Sequence, residues 1–282
     1  MNIQWFPGHM TKAIRQMKED IKLIDLVIEI CDARIPVSSR NPEIDDLARG
    51  KERIVLLNKS DLADPDATQE WVRHFEKKGI YAVSINARER KSFRAVDNII
   101  EKAMAKKRKR DESRGIRPRP VRTIIVGIPN SGKSTFINSY AKGARAKTGN
   151  TPGVTRGKQW IRRGKSLELL DTPGILWPKF EDETVGIHLA CVGSIKDQIV
   201  DTQELAVLLI EIVNGLYPDA IRDTYGIESE DAGKFIDEFA DSHGCLIAGG
   251  ERDIKRACTL LLTDFRAGKW GRLSIEKVAA YE

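Results

Sequence analysis

Gly127 to Ser134 (GIPNSGKS) carries the densest chemistry in the chain. The spacing fits G-x-x-x-x-G-K-[ST], an apolar run from Val121 to Val126 precedes it, and a helical pattern from Lys133 to Ala141 follows. In that setting glycines let backbone N–H groups converge on phosphate oxygens at a helix N-terminus that already favours anions. Lys133 brings a point charge to the β and γ oxygens, and Ser134 offers its hydroxyl to Mg²⁺. Asn130, Ser131, Gly132 and Thr135 complete the loop around the phosphates. Asp171 to Gly174 (DTPG) closes a second apolar run, Leu167 to Leu170. That is the pattern of an acidic strand end that holds the metal through water while the Gly174 N–H meets the γ-phosphate. Between the two motifs, Thr148 to Thr155 (TGNTPGVT) has two readings. It is a plain surface loop, or a loop in which Thr155 gives its hydroxyl to Mg²⁺ when the γ-phosphate is present.

Asn58 to Asp61 (NKSD) follows the apolar run Arg53 to Leu57, and Ser84 to Asn86 (SIN) closes the run Tyr81 to Ile85. A carboxylate such as Asp61 accepts the two donors of guanine, N1–H and the exocyclic amine, together; adenine presents no such pair and leaves the carboxylate unpaired. Asn58 braces the neighbouring loops, the Lys59 stem covers the base, and the loop carrying Ser84 and Asn86 approaches the guanine O6. These are the residues of a site for GTP with Mg²⁺.

Loops of this kind need a sheet whose strands all end on one side. Ile24 to Cys31, Arg53 to Leu57, Tyr81 to Ile85 and Val121 to Val126 are β-branched runs, with helical patterns at Leu62 to Gly79 and Ser92 to Arg110 between them. Alternating strands and helices predict an α/β fold with a doubly wound, mostly parallel sheet that places ligands at the carboxyl ends of its strands. Lys158 to Arg163 and Ser166 to Leu170 form a strand pair around Gly164, making about six strands. Lys106 to Pro120 (KKRKRDESRGIRPRP) reads as a basic linker, either a solvated connector or an RNA-contacting segment. Beyond Trp177 the pattern is helical only, so residues 1–177 are expected to form the nucleotide domain and 178–282 an all-α domain.

Composition narrows the classes. The chain has 282 residues, 41% hydrophobic and 31% charged, as in a folded soluble protein with a sizeable core. Met1 to Met10 (MNIQWFPGHM) has no signal-peptide pattern and no run is long enough to span a bilayer, so a cytoplasmic protein without membrane contact is expected. Four scattered cysteines argue against zinc and disulfides. The net charge of +6 favours an anionic partner. Lys196, Arg222, Arg252, Lys255, Arg256, Arg266, Lys269 and Arg272 form either a phosphate-contacting face or a solvated one, whereas Trp177, Phe180 and Trp270 read as core or interface anchors. Asp32 and Arg34 of DARIP either brace the base-side loops or pair with each other.

The base-reading motif precedes the phosphate loop, the reverse of the ordinary GTPase order, so the chain resembles circularly permuted GTPases. With Trp5 to Met10 (WFPGHM), Asp32 to Pro36 (DARIP) and Asp171 to Phe180 (DTPGILWPKF), it is similar to the bacterial ribosome biogenesis GTPase A family along essentially its whole length. The resemblance implies GTP hydrolysis coupled to late maturation of a large ribosomal subunit precursor, with the helical domain on ribosomal RNA. The alternative class is a GTP-gated switch that docks a protein or tRNA. DNA is not an expected partner, and a monomer is expected. The residue after DTPG is Ile175, which can neither donate nor accept a hydrogen bond, so the water-positioning Gln of Ras-like enzymes is absent and turnover is expected to be slow until a partner assists. His9, in the WFPGHM segment the resemblance marks, is the candidate for orienting that water; otherwise it is a surface histidine. Asn130 stands where some related GTPases are associated with K⁺, and its other reading is a loop brace. Permutation also leads the Thr155 and Gly174 loops directly into the helical domain, making that domain the expected output arm.

Overall fold

The computed structural model describes residues 8–141, 160–177, 180 and 182–281. The β-branched runs become six strands: β1 (Leu26–Asp32), β2 (Glu52–Asn58), β3 (Tyr81–Ser84), β4 (Val121–Gly127), β5 (Trp160–Arg163) and β6 (Leu167–Asp171). They form one sheet in the order β3-β2-β1-β4-β6-β5. Every neighbouring pair is parallel except β5 with β6, which are antiparallel as the turn at Gly164 predicts. β1 is buried along its whole length, as a central strand covered on both faces must be.

Helices cover both faces. On one, Phe93, Val96 and Ile100 of α4 (Ser92–Ser113) and Phe136, Ile137 and Tyr140 of α5 (Lys133–Tyr140) pack on Leu26, Ile28, Ile54 and Ile125. On the other, α1 (Gly8–Asp20) contributes Ile14 and Met17, and α3 (Pro65–Lys77) contributes Trp71 and Phe75. Asp64 starts α3 by accepting the N–H groups of Asp66 and Ala67, with Pro65 in the first turn. Neither α1 nor α2 (Pro42–Leu47) is expected from the sequence pattern. Both are short amphipathic pieces whose single buried stripe becomes meaningful only against the sheet.

The basic run from Lys106 is not a linker at its start. α4 continues through Ser113, because Ala103 and Met104 keep one face on the core while Lys107 pairs with Asp111 one turn on, at 2.8 Å. Only the residues beyond Arg114 are extended connector.

Helices α6 (Glu183–Cys191), α7 (Thr202–Leu216), α8 (Ala220–Tyr225), α9 (Ala232–Ser242) and α10 (Ile254–Ala267) make the expected helical unit. Its core is continuous with Met10, Ile35, Ile128 and Leu176 of the sheet unit. The chain then returns: Val278 packs beside Cys31 and Trp71, and the Trp71 indole donates to the Glu276 carbonyl at 3.1 Å. Residues 272–281 therefore lie between the two units: Leu273 and Ile275 pack in the helical core, while Val278 packs on the sheet unit. Glu276, itself buried, accepts the N–H groups of Val37 and Ser38 and meets His188 of α6, tying β1's following loop, α6 and the C-terminal segment together. The four cysteines are free and buried. Among the described residues no helix is long and apolar enough to cross a membrane.

Candidate functional site

The loops after β2, β3 and β4 and the segment after β6 meet at the carboxyl edge of the sheet around a cleft of about 630 Å³. Its wall includes Asn58, Lys59 and Asp61 on one side and Asn130, Gly132, Lys133, Ser134, Thr135 and Gly174 on the other. The two blocks, far apart in sequence, are neighbours because β1 joins β2 and β4 in the sheet.

Asn58 fastens them. Its amide nitrogen donates to the Ser131 carbonyl at 2.7 Å, and its amide oxygen accepts the Ala87 N–H at 2.9 Å, so one side chain spans three loops. The approach is close enough to require glycine at position 132. The residue has φ +90°, and a Cβ there would lie 2.2 Å from the Asn58 nitrogen. Gly132 turns the loop into α5, whose first turn presents Lys133, Ser134 and Thr135 to the cleft. Lys133 is mostly buried, and its ammonium meets the Asp171 carboxylate at 2.6 Å. Ser131 is buried as well, and its hydroxyl has no hydrogen-bond partner in the structure. A left-handed glycine, successive backbone donors, a buried ammonium and an unsatisfied hydroxyl suit a bound phosphate chain. Ser134 and Asp171 are oxygen donors of the kind Mg²⁺ takes.

On the base side, Lys59 adopts φ +60° and pairs with Asp32 at 2.8 Å. Asp32 also takes both ends of the Arg34 guanidinium, at 2.9 and 2.8 Å. Both alternatives for DARIP therefore hold at once. Burial alone would raise the Asp32 carboxyl, but the Arg34 and Lys59 charges outweigh it and hold it well below the usual carboxylate range. Asp61 lines the cleft and makes no hydrogen bond or ion pair with any described residue, leaving its carboxylate available to a ligand.

Three placements differ from expectation or add to it. Ser84 ends β3 outside the cleft wall; Asn86, Ala87 and Arg88 represent that loop instead. Asn130, with φ +60°, donates its amide to the Gly193 carbonyl of the helical unit at 2.6 Å, so it is a brace that reaches across units. Arg266 and Ala267, in the last turn of α10, complete the cleft wall, and no local motif announces them. Thr155 lies outside the described residues, as does the side chain of His9, whose backbone is in the first turn of α1. Ile175 is buried with Ile14, Met17 and Leu170.

Most of the candidate cationic face is used internally. Arg266 pairs with Asp197, Arg222 with Asp219, Arg252 with Asp237 and Asp241, and Lys269 with Asp264, while Arg272 donates to backbone carbonyls. Lys196, Lys255 and Arg256 are the members exposed without an ion pair among the described residues.

Residues 122–243 match the family model described as 50S ribosome-binding GTPase. The chain is 48% identical over 279 residues to the ribosome biogenesis GTPase A of Bacillus licheniformis, covering 98% of this chain and 99% of that protein. It is 37% identical over 276 residues to the protein of the same name from Thermotoga maritima, covering 98% and 94%. A GDP-bound structure of YlqF superposes with a TM-score of 0.70 at 33% identity, covering 93% of this chain and 99% of that one. GNP-bound YlqF from T. maritima gives 0.67 at 31% identity, covering 94% and 98%. With a phosphate loop and a guanine-type motif meeting in one cleft in permuted order, and relatives matching along nearly the whole chain, this protein belongs to the ribosome biogenesis GTPase A family and hydrolyses GTP.

Proposed function

We propose that the chain is an assembly factor that binds the large ribosomal subunit precursor in its GTP form and promotes late maturation, working in the cytoplasm as a monomer. The observation that carries this reading is the completion of the nucleotide cleft by the last turn of α10, together with the Asn130 to Gly193 bond. The helical unit thereby touches the pocket whose contents change on hydrolysis. The relatives named for ribosome biogenesis, and the model described as ribosome-binding, supply the class of partner.

Within the cleft, Lys133 neutralises the β and γ phosphates, the Gly174 N–H meets the γ-phosphate, and Asn130, Ser131, Gly132 and Thr135 cradle the chain. Ser134, Asp171 and Thr155 would hold Mg²⁺, which when bound would offset negative charge on the phosphate oxygens. Asp61 reads guanine, Lys59 covers the base and Asn58 holds the loops in register, with the Ser84 to Asn86 loop at O6. His9 orients the attacking water because Ile175 has no polar group. If so, His9→Ala abolishes most subunit-stimulated phosphate release, and unchanged stimulated turnover removes His9 from this role. Asn130 would hold a K⁺ that supplies positive charge beside the phosphates, so basal GTP turnover is expected to be several-fold faster in KCl than in NaCl, the size of a modest electrostatic gain in a water-poor site. Equal rates rule the ion out.

Contact with ribosomal RNA runs through the unpaired cations of the helical unit, Lys196, Lys255 and Arg256. Sedimentation with purified large subunits tests the whole reading. The protein co-sediments with a nonhydrolysable GTP analogue and much less with GDP. Nucleotide-independent or absent co-sedimentation would favour a GTP-gated switch acting on a protein or tRNA.

A further inference from the structure

The guanine-side loop makes one turn bond of its own, from the Leu62 N–H to the Lys59 carbonyl at 2.9 Å, and takes further support from outside. Its segment from Ser60 to Asp64 offers a series of backbone groups outward, and one C-terminal segment satisfies them in order. The Arg272 guanidinium donates to the Ser60 carbonyl at 2.8 Å and to the Ala63 carbonyl at 3.1 Å. The Leu273 N–H donates to the Leu62 carbonyl at 3.1 Å, and the Asp64 N–H donates to the Ser274 hydroxyl at 3.2 Å. Asp64 then accepts from Lys277 at 2.6 Å and from the Tyr217 hydroxyl at 2.7 Å. Asp61 sits between the carbonyls that Arg272 holds.

The end of α10 presses on the same loop. Gly268 adopts φ +80°, the left-handed helix cap that favours glycine, and a Cβ there would come within 2.8 Å of the tip of the Leu62 side chain, which would have to shift. The opposite flank is fixed by the triad of half-buried Lys59 with buried Asp32 and Arg34, whose guanidinium also reaches the Phe265 carbonyl at 3.4 Å and that of Arg266 at 3.5 Å.

We propose that Arg272 to Ser274 is a positioning strap for base recognition, holding the backbone on both sides of Asp61 so that its carboxylate meets N1–H and the exocyclic amine of guanine together. A carboxylate that must accept two donors at once tolerates little drift, because a shift that keeps one bond loses the other. A loop whose carbonyls are fixed from outside loses less freedom on binding and binds more tightly for it. The strap also places the grip on the base under control of the helical unit. Any partner that draws Arg272 to Ser274 off the loop loosens the nucleotide at its base end while the phosphate loop stays intact. The inference rests on the proposed role of Asp61 and adds a residue that never touches the nucleotide.

The readout is the ratio of GDP to IDP affinity, since inosine lacks the exocyclic amine and the ratio reports how well Asp61 engages it. For Arg272→Ala we expect GDP affinity to fall about tenfold, roughly what one charge-assisted hydrogen bond contributes, with KM raised and kcat little changed. The GDP to IDP ratio should shrink several-fold. Arg272→Lys keeps the charge and one carbonyl contact and is expected to fall between the two; it also carries the test if the alanine variant does not fold. A variant that melts earlier with an unchanged ratio is a mere fold staple and overturns the strap. Asp61→Asn separates the two layers of the argument: its amide donates to the C2 carbonyl of xanthine and accepts from N1–H, so preference should pass from GDP to XDP. If Asp61→Asn leaves guanine preferred, the site reading fails and the strap with it. If Asp61→Asn switches preference while neither Arg272 variant changes the ratio, only the strap fails.

Discussion

At the scale of single residues, the carboxylates around the base loop do different work according to what surrounds them. Asp32 is fully buried between two cations, so neutralising it leaves Arg34 and Lys59 without their partner, a change that typically costs about 3–5 kcal/mol. Asp64 is partly exposed. Burial raises its carboxyl, but hydrogen bonds from Lys277, Tyr217 and the Ala67 N–H lower it further, to about 2. The folded value lies below the ordinary one of 3.8, so its contribution to stability is present above pH 3.8 and disappears as the pH falls through about 2. Asparagine caps a helix about as well as aspartate, so Asp64→Asn removes the charge while keeping the start of α3. The variant should be less stable than the parent by about 1 kcal/mol at neutral pH, a usual upper figure for a partly exposed ion pair. Chemical denaturation at several pH values checks this. The gap should narrow steadily from pH 4 to pH 2, and a gap that does not narrow over that range would assign it to lost packing.

At the scale of elements, the cations of α10 make the sharpest distinction. Lys255 and Arg256 stand exposed in its first turn without an acidic partner among the described residues, whereas Arg252, just before it, is held by Asp237 at 2.9 Å and Asp241 at 2.7 Å. Reversing both Lys255 and Arg256 to Glu should weaken subunit binding and lower the salt slope by about 2, near one unit for each lost phosphate contact. Arg252→Glu should leave the slope nearly unchanged, and co-sedimentation across a salt series measures both. Sequence alone does not separate these arginines and lysines, because partners such as Asp237 are chosen by helix packing and not by spacing along one face. The strands were legible for the opposite reason: Leu26 to Asp32 and Val121 to Gly127 are mostly apolar, β-branched stretches, interrupted at Glu29, Asp32, Arg122 and Thr123, and that composition marks a strand covered on both faces. The phosphate and base motifs were legible as well, since each is local and sits at a strand end. α2 was not, because a six-residue helix has too few turns to display a period. Arg272 was not, because its partners lie 209 and 212 residues away. Nor was the position of Arg266 and Ala267 in the cleft wall.

At the scale of the whole molecule, the elements that continue from the nucleotide cleft run into the helical unit. β1, which neighbours both β2 and β4, leads into the Asp32 to Pro36 segment, and the segment after β6 leads toward α6, so both ends of the cleft continue into structures that contact the helical unit. One contact starts within the phosphate loop, where Asn130 holds the Gly193 carbonyl just after α6. Gly193 in turn lies against Arg266, whose guanidinium binds the Ala190 and Cys191 carbonyls at the end of that helix. A rearrangement of the phosphate loop on hydrolysis would pull on the end of α6 through the Asn130 amide, beside the apolar contact of Ile128 with the helical core. Removing the amide should therefore uncouple the two states: Asn130→Ala narrows the difference in large-subunit affinity between the GTP-analogue and GDP forms, even when each is measured at saturating nucleotide so that weaker binding does not contribute. Coupling between two sites is typically about 1–3 kcal/mol in total, or 5- to 150-fold in affinity ratio, of which the variant should lose a part. Small-angle scattering of the parent should show a change of shape between the two nucleotide forms, and the variant should lose part of it. If the variant keeps the full difference in both measurements, the signal passes through the base side instead, along Lys59, Asp32 and Arg34 to the end of α10, and Arg34→Met becomes the substitution that closes the gap.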